Sequence, residues 1–150
     1  MHREETVDYN IKAAWHAISR MYNQQAAMYD ATMSMGFVLL TIDVEEGTPA
    51  TKIAPLMGLE ARSLTRLLKT LEQKEIIYRQ ADDCDKRMVR IYLTKEGKEK
   101  REKARQTVLK FNNTVFEQIP KYKLDVFFEV LQDISQIIET NNIYDKELQK

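Results

Sequence analysis

Between about residues 60 and 74 the side chains sort cleanly on a helix. At about 100° per residue, Leu64, Leu67, Leu68 and Leu71 share one arc. Arg62, Ser63, Thr65, Arg66, Lys69, Thr70 and Gln73 share the opposite arc, with no carboxylate until Glu72 near its edge. Guanidinium and amide groups on such a face can read base edges in the DNA major groove, while ammonium and hydroxyl groups bind phosphate. A solvated helix face is the commoner fate of a charge run, so the surroundings must decide. A second cationic pair, Lys86-Arg87, ends the polar stretch Asp82-Asp83-Cys84-Asp85-Lys86-Arg87.

Other chemistries find little support. His2 and His16 are the only histidines and Cys84 the only cysteine, so no cluster has metal-ligand spacing. There is no glycine-rich phosphate loop and no Gly-x-Ser-x-Gly elbow. The expectation is a protein with no catalytic residues, no metal and no cofactor. Cys84 reads as a small surface residue, with redox sensing as the alternative.

The elements that must position these groups follow from periodicity and punctuation. Val7, Ile11, Ala14, Trp15, Ile18, Met21, Tyr22 and Tyr29 recur at helical steps and predict an amphipathic helix of about six turns. Thr32 or Ser34 can cap a second helix through Ile42, with Glu45-Glu46-Gly47 ending it. A short helix runs from Thr51, its N-cap, to Met57, which places Pro55 in the first turn. Gly58 marks a tight turn before the leucine-backed helix. Residues 76–79 and 88–93 read as a hairpin rich in β-branched and aromatic residues. Thr94 can cap a charged helix that turns apolar and breaks at Pro120, and a last amphipathic helix follows. The order predicts an α+β domain, mostly α. A short helix, a glycine turn and a basic helix form a helix-turn-helix, and the hairpin behind it forms a wing over about residues 80–90. Lys86 and Arg87 at the wing tip suit the minor groove or its phosphates.

At this point the chain resembles the MarR (multiple antibiotic resistance regulator) family of winged helix-turn-helix transcription regulators. The carrying residues are Ser63 to Glu72, then Asp82 to Arg87 with its Asp-x-Arg pattern, then Leu93-Thr94-Lys95-Glu96-Gly97. No one piece is specific, but their order and spacing are. The resemblance covers essentially the whole chain. Two positions depart from the family pattern: Glu75 stands where glycine is usual after the recognition helix, and Pro55 is atypical in the short helix. The resemblance implies a homodimer with first and last helices interleaved, binding a pseudo-palindromic operator in double-stranded DNA as a ligand-responsive repressor. It also implies an effector site where the dimer helices meet the DNA-binding lobe. Met21, Met28, Met33, Met35, Tyr22, Tyr29 and Trp15 could line such a site for a small apolar or phenolic ligand, although core filling explains most of them.

Length and charge agree with this organisation. The 150 residues suffice for one domain with a real core, and 43% are hydrophobic. Net charge is zero, yet residues 52–105 hold 15 basic and 9 acidic side chains while both flanks are acidic. The expected division is residues 1–31 and 106–150 for dimerisation and residues 32–105 for the DNA-binding lobe. The flanking helices carry more large apolar residues than a lone domain needs, which also points to a dimer. No apolar run approaches the roughly 20 residues of a membrane span, and no leader is evident, so the expected compartment is the cytoplasm. A different class of reading, a winged-helix module docking an acidic protein partner, is also compatible with zero net charge.

Overall fold

A computed structural model describes residues 2–58, 60–141 and 143. The end of the segment assigned to dimerisation, residues 144–150, lies outside the described residues. The chain divides into two compact units, Met1–Val108 and Leu109–Lys150.

In the first unit, α1 (Val7–Ala27) is the predicted long amphipathic helix. Tyr22 is buried, whereas Val7, Ile11 and Trp15 lie exposed at successive helical turns. Thr32 accepts the Met35 N–H at 3.2 Å and so caps α2 (Met33–Thr41). That helix stops sooner than Gly47. Ile42 turns extended and buries completely, and the Asp43 carboxylate takes the N–H groups of Glu45 and Glu46 at 2.9 and 2.8 Å. This side-chain turn offers the backbone an alternative to helix. Gly47 does adopt the left-handed conformation, but its task is elsewhere. A Cβ there would sit 2.7 Å from the Ile91 carbonyl oxygen and from the Tyr92 ring.

Gly47 leads into β1 (Thr48–Pro49), a strand too short to leave a periodic signature. It adds to the predicted hairpin, β2 (Ile77–Ala81) and β3 (Val89–Leu93), to give an antiparallel sheet in the order β1-β3-β2. Thr48 faces Ile91 and Tyr78 faces Tyr92 across the sheet. Between β1 and β2 lie α3 (Ala50–Met57) and α4 (Ala61–Gln73). The N-cap of α3 is Pro49, not Thr51, so Pro55 falls in the second turn, not the first. Lacking an N–H, it cannot bond the Thr51 carbonyl, and the helix ends two residues later. Gly58 then takes the left-handed φ of +62° expected of the tight turn.

The C-terminus of α4 explains the departure at Glu75. The Ile76 N–H bonds the Leu71 carbonyl and the Glu75 N–H bonds the Glu72 carbonyl, a Schellman closure. That closure needs a left-handed residue, and Glu75 supplies it at φ +56°. Thr94 then donates from Oγ1 toward the Glu75 carbonyl at 2.7 Å and accepts the Gly97 N–H at 3.1 Å, capping α5 (Lys95–Gln118). A Cβ on Gly97 would lie 2.0 Å from the Ile76 carbonyl oxygen, so only glycine lets α5 start against the sheet. The Leu-Thr-x-x-Gly signature therefore has a steric and a capping cause.

Val38, Ile42, Ile53, Leu71, Ile76, Ile77 and Ile91 are fully buried and join α2, α3, α4 and the sheet in one core. Burying each such side chain contributes about 1.5–3 kcal/mol. The second unit holds the end of α5, which stops at Gln118 ahead of Pro120 as expected, and α6 (Lys121–Thr140), whose N-cap is Pro120. Within it Phe116, Val126, Phe127, Phe128, Val130, Ile137 and Ile138 are all exposed, and among the described residues only Leu124 is buried.

Candidate nucleic-acid interface

The core fixes α4 by its inner face. Leu64, Leu68 and Leu71 are buried and Leu67 is partly so. The remaining arc then faces solvent, and Arg62, Ser63, Thr65, Arg66 and Lys69 are all exposed on it. Among the described residues, Arg62, Arg66 and Lys69 have no carboxylate within ion-pair distance. Thr65 Oγ1 donates to the Ala61 carbonyl at 2.9 Å, which leaves its oxygen lone pairs as the outward-facing function. Charged partners cluster instead at the helix end. Glu72 accepts from Arg79 Nε of β2 at 3.0 Å, and Lys74 donates to the Asp30 carboxylate at 2.8 Å.

The wing is built from a buried carboxylate. Asp82 accepts the backbone N–H groups of Cys84 and Asp85 at 2.8 and 3.1 Å, and Arg90 Nε donates to its other oxygen. Chiefly because of that Arg90 hydrogen bond, the Asp82 carboxyl is held down to about 2. Arg90 continues to the Glu46 and Gly47 carbonyls at 3.0 and 3.2 Å, tying the wing to the segment before β1. Asp82 and Arg90 are thus the wing's frame, which sequence reasoning did not single out. They lie on opposite sides of the hairpin turn, and only the closed hairpin brings them together.

The Asp-x-Arg pattern works through the backbone. Asp85 Oδ1 accepts the backbone N–H of Arg87 at 3.0 Å. No carboxylate reaches the Arg87 guanidinium or the Lys86 ammonium among the described residues, and both side chains are exposed. The carboxylate shapes the turn and leaves the cations to an outside partner. Cys84, also exposed, lends its N–H to Asp82.

A partly open pocket of about 60 Å³ lies where the end of α1, α2 and the first half of α5 meet. Of the methionines and aromatics expected there, Tyr22, Tyr29 and Met33 line it. Met35 belongs to the core, while Met28 and Trp15 are exposed. Two cations that sequence reasoning missed, Lys100 and Lys103, also line it. Lys100 donates to the Tyr29 carbonyl at 3.0 Å, and Lys103 lies 4.6 Å over the Tyr29 ring. Among the described residues no group of His, Cys, Asp and Glu could hold a metal ion, and no helix is long and apolar enough to cross a membrane.

Residues 31–89 match the MarR family model. The chain is 36% identical over 88 residues to the HTH-type transcriptional regulator TtmR of Methylorubrum extorquens, covering 59% of this chain and 45% of that protein. It spans about half the length of the curated relatives it matches. In fold it is similar to Staphylococcus aureus MepR, solved as a DNA complex, with a TM-score of 0.79 at 23% identity over 87% of this chain and 97% of that one. It is also similar to CouR of Rhodococcus jostii RHA1, solved with p-coumaroyl-CoA, with a TM-score of 0.75 at 21% identity over 97% and 99% of the two chains. The match to the MarR family model falls on residues 31–89, the stretch that holds α4 and the wing up to the start of β3.

Proposed function

We propose that this protein is a dimeric, sequence-specific DNA-binding transcription regulator of the cytoplasm, acting as a repressor that answers a small apolar or phenolic ligand. The observation that carries this reading is the outer face of α4, where Arg62, Arg66 and Lys69 stand exposed with no carboxylate among the described residues to neutralise them. A solvated structural helix gains from acid–base pairing at helical spacing; this face forgoes it. Arg62, Ser63, Thr65, Arg66 and Lys69 enter the major groove, and Lys86 and Arg87 reach the minor groove or its phosphates. No residue carries out a chemical step.

The exposed apolar side chains of α1 and of the 109–143 segment support dimerisation through residues 1–31 and 106–150, with residues 32–105 as the DNA-binding lobe. The pocket beside Tyr22 and Tyr29 supports the ligand, since its walls are mostly apolar and aromatic with two lysines at hand. The kinship with TtmR and the likeness to MepR on DNA and to CouR with its ligand point the same way.

Selection of bound duplexes from a random pool, at near-physiological salt and without ligand, tests the proposal. The expected outcome is a pseudo-palindrome whose half-site centres lie about 34–36 Å apart, with a solution mass twice the 17.6 kDa of the chain. Weak, steeply salt-dependent binding with no enriched sequence overturns it, leaving only non-specific attraction to phosphate.

A further inference from the structure

The turn between α1 and α2 has two faces with different occupants. On one face Tyr29, Ala31 and Thr32 line the pocket. On the other, Asp30 meets the end of the recognition helix, where Lys74 Nζ lies 2.8 Å from its carboxylate and 3.3 Å from its carbonyl oxygen. Asp30 holds a left-handed backbone at φ +52°, a conformation that asparagine and aspartate tolerate better than most residues. The neighbouring Lys74 lowers the Asp30 carboxyl, mainly through their hydrogen bond. Lys100 and Lys103 of α5 grip the same turn from the pocket side through Tyr29. A displacement of the turn that makes room in the pocket therefore pulls on Lys74, the C-cap residue of α4.

We infer that Asp30 and Lys74 are positioning residues that link the pocket to the recognition helix, so that filling the pocket weakens DNA binding through this one ion pair. The inference rests on the DNA-binding reading above. An exposed pair is individually weak, and the Asp30 side chain is 92% exposed. A modest effect is enough, however, because a DNA-bound dimer holds two copies of the pair.

The pocket can be filled without knowing its ligand. Ala104→Leu places extra carbons in it from α5, and Thr107→Leu does so one turn along, in case the first variant folds poorly. On the selected operator, each filling substitution is expected to weaken binding at least threefold when Lys74 is present. In a Lys74→Met or Asp30→Asn background the same substitution should change affinity less than 1.5-fold. Asparagine keeps the left-handed turn and removes only the charge. Lys74→Arg should restore the coupling, which a merely structural loss would not predict. Amide exchange at Glu75 and Ile76, measured without DNA, should rise on filling only when the pair is intact.

Equal weakening in both backgrounds overturns the inference, as does filling that leaves DNA binding and amide exchange unchanged in the otherwise native chain. Failure of the native chain to select any duplex sinks the DNA-binding reading instead. The exchange measurement then still decides whether the pocket and the α4 terminus are linked.

Discussion

Arg66 on α4 and Arg90 on β3 are the same side chain set to opposite tasks. Arg66 stands exposed on a helix held in place by leucines on its far side. Arg90 is spent inside the protein, on Asp82 and on the carbonyls of Glu46 and Gly47. The recognition helix is positioned by apolar burial, so its polar face is left free for an outside partner. The wing has little apolar interior at its tip and is positioned by hydrogen bonds to one carboxylate. Its freedom is confined to Lys86 and Arg87, beyond the network. Charge count alone does not separate the two arginines; the presence or absence of an internal partner does.

The largest effect should come from the helix's hidden side. Leu68→Ala is expected to cost about 2–5 kcal/mol of stability, read by denaturant unfolding, because Leu68 is 4% exposed in the core. A loss below 1 kcal/mol would show that leucine burial does not position α4. Next, Arg66→Ala should cost about 1–3 kcal/mol of specific binding and relax preference at one base pair, with the melting temperature almost unchanged. Equal weakening on every duplex would make Arg66 a phosphate contact.

Asp82→Asn should instead lower stability at neutral pH. The Asp82 carboxyl is lowered to about 2 from an ordinary 3.8. Its contribution is therefore full above about pH 4 and is lost as pH falls toward 2. The difference in melting temperature between the native chain and the variant should shrink across that window. A constant difference down to pH 2 would mean that the wing does not rest on this carboxylate's charge. The smallest effect is expected at the free tip: Lys86→Ala should reduce the salt slope of binding by about 1 without altering sequence preference. An unchanged slope would place Lys86 off the DNA.

What the sequence reveals of this arrangement depends on how local its cause is. The outer face of α4 is legible because Leu64, Leu68 and Leu71 repeat at helical spacing and the cations fall opposite them. The Thr94 cap and the Gly58 turn are legible because each acts within a few residues. The end of α2 is not, since an apolar run continues through Ile42 while Asp43 redirects the backbone. The start of α3 is misplaced because Thr51 looks like a cap and Pro49 does not. Strand β1 is invisible at two residues. Asp82–Arg90 and Asp30–Lys74 are closed by tertiary folding, and no period in the sequence announces either pair.

Glu75 illustrates a local rule broken with a stated cost. Glycine there would adopt the left-handed closure freely, so Glu75→Gly offers a small gain in native-state fit against a larger loss of unfolded-chain entropy than most residues incur.

The two-residue length of β1 has a consequence for how the protein behaves at high concentration. A sheet edge offers a row of unbonded N–H and C=O groups on which another chain can grow. On one side of this sheet the outermost strand ends at Pro49, which has no N–H to give, and α3 begins at Ala50. An incoming strand would find no length to align with and a missing donor where it started. By this economy of strands, the β1 side of the sheet is a poor seed for fibres.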